Sequence, residues 1–232
     1  MCGRYSLVCI DDLGNRFRVH NPMIGARSRF NVAPGNGMPV IVRAGGENAI
    51  AVMTWGLLSP RAQDPASSPR PINARAEGLA EKPMFRPLLE NRRCLVPASG
   101  FFEWKKEETR KLPFLFRLPS EPLFSFAGLC DTWQGPDGQR LSSYTIITCE
   151  PNALVAKVHD RMPAILTQEH EERWLAEGPL PHGSLKGLLG PYPACDMEMV
   201  PVSDLVNNPA VDDERVVRPL ASCGGTQTFL TE

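Results

Sequence analysis

The chain has 232 residues, enough to bury a sizeable core, and its composition (42% hydrophobic, 22% charged) is that of a soluble globular protein. No apolar run reaches the roughly twenty residues of a membrane span, which excludes a helical membrane protein. The net charge of −1 conceals an asymmetry, because residues 1–45 carry six Arg against two Asp, whereas residues 160–232 carry five basic and twelve acidic residues. The basic N-terminal part suits local contact with a polyanion, although an unevenly charged, solvated surface explains it equally well.

In chain order, apolar and β-branched stretches predict a series of short strands. These are Ser6–Val8, Met38–Arg43, Ala49–Leu58, Arg92–Val96, Ala98–Trp104, Pro113–Leu118, Leu123–Leu129, Ser143–Thr148 and Met197–Val202. Gly45-Gly46-Glu47-Asn48 predicts a hairpin turn, Lys105–Lys111 a second hairpin tip, and residues 59–71 a loop. The stretch Arg27–Gly35 is basic and then turn-forming.

Short helices are expected at Asp11–Arg18, Glu77–Lys82, before Val158, after a Thr167 cap, and at Ser184–Leu189. Many short strands between 23 Pro and 19 Gly, with few helices, indicate an α+β fold. We therefore predict a single domain over residues 1–232, built on a curved, mostly antiparallel and barrel-like β-sheet.

Cysteine usage predicts a reduced, cytoplasmic protein. Seven cysteines occur at irregular spacing, and no charged-then-apolar leader precedes Arg4. No two of them lie two to four residues apart, so we predict neither a metal site nor a cofactor.

The start of the chain offers unusual chemistry at Cys2. If Met1 is removed, Cys2 carries a free α-amine and a thiol on adjacent carbons, with ordinary pKa values of about 7.7–8.0 and about 8.5. The amine can condense with an aldehyde to an imine, and the thiol can then close on the imine carbon to give a thiazolidine. The alternative is that Cys2 is merely the second residue of a frayed terminus.

Glu103 and His159 are candidate acid–base residues. Glu103 lies in the aromatic segment Gly100–Trp104, where partial desolvation would raise the pKa of its carboxyl group towards neutrality. His159 follows an apolar run, unlike the other three histidines. The alternatives are an edge-strand Glu that faces water and a structural histidine.

Asn73 and Arg75 alternate along an extended segment, and a paired amide and guanidinium suit an oxygen-rich ligand. Trp55-Gly56-Leu57 offers a flat ring and a close backbone approach, but such a segment serves equally well in a core. The sequence contains no P-loop, GxSxG, HExxH or dinucleotide fingerprint. The residues alone thus support an N-terminal nucleophile with acid–base partners and do not name its substrate.

Six motifs in register resemble the SOS-response-associated peptidase (SRAP) family. They span residues 1–163 and are Met1-Cys2-Gly3-Arg4-Tyr5, Phe30-Asn31-Val32-Ala33-Pro34, Trp55-Gly56-Leu57, Asn73-Ala74-Arg75-Ala76-Glu77, Gly100-Phe101-Phe102-Glu103-Trp104 and His159-Asp160-Arg161-Met162-Pro163. The resemblance implies a sensor of abasic sites in single-stranded DNA at replication forks, with junctions of single- and double-stranded DNA as a further candidate substrate. It also implies that removal of Met1, by the protein itself or by an aminopeptidase, exposes Cys2. In a bacterium such a protein would associate with the nucleoid.

By the resemblance, Cys2 would form a thiazolidine crosslink with the ring-opened sugar, Asn73 would orient the reactants, Glu103 would be the general acid and base, and His159 would assist proton transfer. The residues expected to hold the DNA are Arg4, Asn31, Trp55, Gly56, Leu57, Arg75, Thr148 and Arg161. The family usually carries an aromatic residue shortly after Trp-Gly-Leu, where this chain has Ser59-Pro60-Arg61-Ala62, so Arg61 is expected to stack on DNA or bind phosphate instead. Two other readings stay open, a thiol peptidase that uses Cys2 and a non-covalent nucleic-acid-binding module.

Overall fold

The structure, a computed structural model, describes residues 2–8, 10–21, 27–180 and 183–220. Within these residues the strands are β1 (Tyr5–Leu7), β2 (Arg29–Val32), β3 (Gly37–Ala44), β4 (Glu47–Trp55), β5 (Asn73–Arg75), β6 (Arg93–Ala98), β7 (Gly100–Lys106), β8 (Lys111–Arg117), β9 (Phe124–Gln134), β10 (Arg140–Cys149), β11 (Met162–Pro163), β12 (Ile165–Leu166) and β13 (Glu198–Pro201). The α-helices are α1 (Leu13–Arg16), α2 (Leu88–Asn91), α3 (Gln168–Leu175) and α4 (Ser184–Leu188). Single 3-10 turns occupy Ile10–Asp12, Ala76–Gly78, Val155–Lys157, Ala194–Asp196, Asp204–Asn207 and Glu214–Val216.

Five strands close into a barrel in the order β10-β4-β3-β6-β9, because β10 pairs with both β9 and β4. β10 pairs in parallel with β4 and β5, whereas the other strand pairs are antiparallel. Tyr5, Trp55 and Tyr144 pack inside, with the Tyr5 and Trp55 ring centroids 5.2 Å apart and edge-on. The predicted α+β fold with a curved, mostly antiparallel, barrel-like sheet is confirmed; its single-domain organisation stays a prediction.

A second sheet, in the order β13-β8-β7-β1-β2, packs its inner face on the main core and its outer face on a small second core. This second core is built from Phe102, Leu115, Val200, Val202, Val206 and Val216. β1 lies between β7 and β2, with Tyr5 opposite Phe101 and Val32. The segment that precedes β1 is therefore held against β7.

The β3–β4 hairpin confirms the predicted turn, since Gly45 and Gly46 both have positive φ (61° and 83°). Such angles suit the two-residue turns that match strand twist. β4 ends at Trp55, however, and not at Leu58 as predicted. Gly56 has φ 124° and turns the chain out of the strand, and its N–H bonds the Tyr144 carbonyl oxygen (2.9 Å).

Two other segments differ from prediction. Arg29–Val32 forms strand β2, which was not predicted as a strand, because its extended conformation is fixed by pairing with β1; the turn-forming end of this stretch does turn, at Pro34-Gly35. No regular helix forms at Glu77–Lys82, where one was expected. The segment has only the 3-10 turn Ala76–Gly78 and further turns, because Gly78 disfavours a helix and Pro83 prevents its continuation. Thr167 does cap α3, since its hydroxyl accepts the His170 N–H.

The described cysteines are free thiols, four of them buried and Cys195 exposed. Cys9 and Cys223 lie outside the described residues, as does Met1, so its removal stays a prediction. In the described part of the chain, no helix has both the length and the apolar character needed to cross a membrane.

Candidate functional site

The four predicted catalytic residues come from four separate segments and lie close together. Cys2 precedes β1, Asn73 begins β5, Glu103 lies in β7, and His159 follows the turn Val155–Lys157. The Asn73 side-chain amide donates to the Cys2 carbonyl oxygen (2.8 Å). His159 Nε2 lies 3.9 Å from Glu103 Oε2. The site is therefore assembled by tertiary structure from positions that are far apart in the chain.

Strand pairing brings Cys2 to Glu103. The Phe102 N–H donates to the Arg4 carbonyl oxygen (3.0 Å), which sets the chain before Arg4 alongside the following residues of β7. Cys2 is fully buried, and its Sγ lies 3.9 Å from the Arg4 carbonyl oxygen as a weak donor. Burial raises the pKa of the Cys2 thiol well above its ordinary value, and the nearby Glu103 carboxyl group acts in the same direction. The thiol is therefore protonated at neutral pH.

Glu103 has the environment of a general acid and base. Its side chain is only 3% exposed, and burial raises the pKa of its carboxyl group from 4.5 to about 7. The negative charge of Asp160 adds to this rise in pKa. A group with a pKa near the working pH both gives and takes a proton readily.

The imidazole ring of His159 is uncharged at neutral pH and lies beside this carboxyl group. Burial lowers the pKa of His159 below its ordinary value. The Arg161 backbone N–H donates to Nδ1 (3.0 Å), which leaves Nε2 to carry the proton on the side of Glu103. The Asp160 carboxylate also lies 3.0 Å from Nδ1 and favours the opposite tautomer. Because that side chain is 85% exposed to water, the fixed backbone donor decides the tautomer.

Among the described residues, the buried oxygen atoms Asn73 Oδ1 and Thr148 Oγ1 lack a protein partner, as do the buried Nε atoms of Arg4 and Arg161. Thr148 stands opposite Arg75 where β5 pairs with β10. Buried polar atoms are rarely left unpaired in a folded protein, so Asn73 Oδ1 is a candidate acceptor for a ligand hydroxyl group, and the Thr148 hydroxyl group is a candidate donor to a phosphate oxygen.

The predicted DNA-binding cations differ in availability. Arg75 is exposed, and among the described residues it makes no ion pair. Arg161 is engaged in a two-pronged pair with Glu77 (2.7 and 2.9 Å), and it also donates to the Thr148 carbonyl oxygen (2.6 Å). The guanidinium of Arg161 lowers the pKa of Glu77, mainly through these hydrogen bonds. Arg161 is thus already neutralised in the DNA-free protein.

Arg4 and Asn31 form a partly buried link to residues 206–211. Arg4 Nη1 donates to Asn31 Oδ1 and to the Val206 carbonyl oxygen, both at 2.7 Å. The Asn31 amide donates to the carbonyl oxygens of Val206, Asn208 and Val211. Asn31 is fully buried, so it orients Arg4 and leaves no side-chain group for direct DNA contact.

Trp55 and Leu57 are core residues, each 1% exposed. The Trp55 indole N–H donates to the Ile72 carbonyl oxygen (2.9 Å), and its ring stacks on Tyr144 with centroids 6.5 Å apart. Their side chains therefore do not form a base-stacking platform in this structure. Gly56 between them is buried as well, and its N–H is bound to Tyr144, so none of the three residues offers a free surface to DNA in this structure.

The structure adds two residues that the sequence did not single out. Glu77 belongs to a recognised motif, but its partner Arg161 lies 84 positions away, and no local pattern links them. Asp212 accepts the backbone N–H groups of Phe30 (2.6 Å) and Asn31 (2.8 Å) and pairs with Arg29.

Arg61 is exposed in the loop after Leu58. Among the described residues, no cluster of His, Cys, Asp and Glu side chains is arranged to hold a metal ion.

Comparison with known proteins shows the family of this chain. The sequence model of the family described as SOS response associated peptidase (SRAP) matches residues 1–209. The chain belongs to the SRAP family. This SRAP chain is 43% identical over 213 residues to the abasic site processing protein YoqW of Bacillus subtilis, with 90% of the chain and 95% of the relative covered.

More distant SRAP relatives include the abasic site processing protein YedK of Escherichia coli, 29% identical over 231 residues, with 95% of this chain and 100% of YedK covered. The abasic site processing protein HMCES of Xenopus tropicalis is 30% identical over 210 residues, which cover 77% of this chain and 62% of HMCES. A crystal structure of a protein from Bacteroides thetaiotaomicron superposes with a TM-score of 0.86 at 28% identity, covering 94% of this chain and 100% of that one.

Proposed function

We propose that this SRAP protein recognises abasic sites in single-stranded DNA and captures them covalently through Cys2 after Met1 is removed. One observation carries the proposal, namely that Cys2 is buried beside a carboxyl group of pKa about 7. The abasic site processing proteins named above have the same family fold and related sequences, which supports the choice of substrate.

The first chemical step is the opening of the sugar. An abasic sugar is mostly a closed hemiacetal, so a proton must leave its hydroxyl group and another must reach the ring oxygen before an aldehyde appears. Glu103 has the pKa for this transfer, and His159 Nε2 presents a proton on the same side. The Asn73 amide fixes the Cys2 carbonyl group and thereby the position of its amine.

The second step joins protein and DNA. The Cys2 amine adds to the aldehyde carbon and loses water to give an imine, and the thiol then adds across the C=N bond to close a thiazolidine. Ring closure consumes the imine that would otherwise promote β-elimination and strand cutting. The thiol proton passes to the imine nitrogen as sulfur bonds to the carbon, so this step needs no free thiolate beforehand.

The same burial disfavours the thiol-peptidase alternative. A peptidase needs a thiolate, which requires a lowered pKa and a cationic neighbour. Cys2 has a raised pKa and lies beside a carboxyl group. A non-covalent binding module is the remaining alternative, and it would give no role to the environment of Glu103.

DNA is expected to lie across Arg75 and the Arg161–Glu77 pair, with single strands preferred and junctions with duplex DNA as a further substrate. Contacts to phosphates position a lesion without reading base sequence, as a lesion sensor requires. In a bacterium this substrate places the protein in the cytoplasm.

A denaturing gel tests the proposal. The protein without Met1, incubated with abasic single-stranded DNA, should give a band that survives heat and SDS, whereas intact DNA of the same sequence should give none. An uncleavable N-terminal tag turns the amine into an amide and should abolish the band while the thiol is unchanged. Equal crosslinking to intact DNA, or full crosslinking by the tagged protein, would refute the proposal.

A further inference from the structure

The strand that carries Glu103 continues towards a basic hairpin tip. Side chains alternate along β7, since Phe101 packs in the main core whereas Phe102 and Trp104 pack on the second core. Glu103 and Lys105 therefore lie on the same face, about 7 Å apart along the strand. Lys106 lies on the opposite face.

The Lys105 ammonium is available to a ligand. Its side chain is exposed and stands opposite Leu112, and among the described residues it makes no ion pair or hydrogen bond. The nearest acidic residues of the hairpin belong to its tip, where Glu107 pairs with Arg110 and Glu108 is exposed. The site-facing side of β7 beyond Glu103 thus presents one uncompensated positive charge.

A sugar within a DNA strand has a phosphate on each side, so a site centred on the sugar needs cations in two directions. On the His159 side these are Arg75 and Arg161, which lie near Thr148 on β10. Towards β7, Arg4 keeps its charge, but its side chain is half-buried and its Nη1 group is bound to Asn31 and Val206. Lys105 adds an exposed charge on that side.

We propose that Lys105 is a further DNA-binding residue, which holds the phosphate on the β7 side of the reacting sugar. This inference rests on the proposed function, because it takes the sugar to lie between Cys2, Glu103 and His159. It predicts a DNA path from Arg75, past Glu103, to Lys105.

The adjacent lysine provides a matched control. Lys105→Ala and Lys106→Ala remove the same charge from the same strand, and both side chains are exposed, but only the first lies on the site face. Binding to intact single-stranded DNA should weaken roughly fivefold in Lys105→Ala. The slope of log affinity against log salt should fall by about 0.7. Lys105→Arg should keep both values, and Lys106→Ala should stay near wild type.

A second measurement uses abasic oligonucleotides that extend about six nucleotides on only one side of the lesion, within the span of a single-strand site. The crosslinking rate of Lys105→Ala should fall with one polarity and match wild type with the other. Equal losses in the two Ala variants, or a loss independent of polarity, would overturn the proposal. If wild type formed no crosslink, the proposed function would fail, while the binding comparison would still decide the role of Lys105.

Discussion

At the scale of single residues, burial raises the pKa of two neighbouring groups, with a different consequence for each. It brings the pKa of Glu103 to about 7, where a carboxyl group exchanges protons readily, and it keeps the thiol of Cys2 protonated. In the proposed covalent capture, the amine therefore attacks first and the thiol acts second. Both consequences can be tested by substitution.

Replacement of Glu103 by Gln should slow crosslinking by about 10²–10⁴-fold, because an amide cannot transfer the proton that opens the sugar. The wild-type rate should change with an apparent pKa of about 7, and this step should be missing in Glu103→Gln. Rates from quenched time courses between pH 5 and about 9 measure both effects. An unchanged pH profile in the variant would assign that titration to another group.

The raised pKa of Glu103 also has a cost in stability. The folded protein binds this proton more tightly than the unfolded chain, so stability from this group is present below pH about 4.5 and is lost as pH rises to about 7. Glu103→Gln should therefore be more stable than wild type at pH 8, by at most about 3 kcal/mol, but not at pH 4. Thermal unfolding at the two pH values measures this; equal differences at both would contradict it.

Cys2→Ser separates the amine from the thiol. The amine remains, but a hydroxyl group closes an oxazolidine that hydrolyses more readily than the sulfur ring. We expect an imine that borohydride traps and that otherwise cuts the strand by β-elimination, whereas wild type gives a lasting crosslink with little cutting. Absence of both trapped adduct and cutting would mean that the amine is not the attacking group.

At the scale of elements, the parallel pairing of β5 with β10 brings together residues that hold DNA in the proposal. It sets Arg75 opposite Thr148, whose carbonyl oxygen binds Arg161. Glu77 lies in the 3-10 turn that follows β5, and its carboxylate accepts hydrogen bonds from both Nη groups of Arg161. A DNA phosphate must either replace this carboxylate or use the remaining donors.

Glu77→Gln tests whether the carboxylate competes with DNA. Loss of its charge should strengthen binding to single-stranded DNA and steepen the salt slope by about 0.7, the value for one phosphate contact. Fluorescence anisotropy at several salt concentrations measures both quantities, with Glu81→Gln, an exposed residue on the same segment, as control. Weaker binding in Glu77→Gln would instead show that Glu77 orients Arg161.

At the scale of the whole molecule, residues 206–212 bind strand β2 near the N-terminus and hold it in place. Asp212 receives two backbone N–H groups of β2 and the Arg29 guanidinium, and Asn31 binds three carbonyl oxygens of the same segment. Since β2 pairs with β1, this contact supports the strand that follows Cys2. Asp212 lies beyond the family match, which ends at residue 209.

Asp212→Ala should lower the free energy of unfolding by about 2–3 kcal/mol, because it removes three charge-assisted hydrogen bonds and leaves two N–H groups unpaired. Denaturant unfolding measures the loss. Asp204→Ala, which removes an exposed carboxylate from the same segment, should stay within about 0.5 kcal/mol of wild type. Equal stability of the two variants would mean that the Asp212 contacts do not hold the segment.

The sequence by itself determined the hairpin at Gly45-Gly46, the Thr167 cap and the class of fold, because each depends on local conformational preference or on strand periodicity. It also indicated that Glu103 is an acid–base residue, since its aromatic neighbours in the sequence predicted the burial that raises its pKa. Only the tertiary structure decided that Asn73 binds the Cys2 carbonyl group, that Arg161 is paired with Glu77, and that Trp55 lies in the core. Those facts depend on contacts between segments far apart in the chain, and the energy of such contacts leaves no local pattern in the sequence.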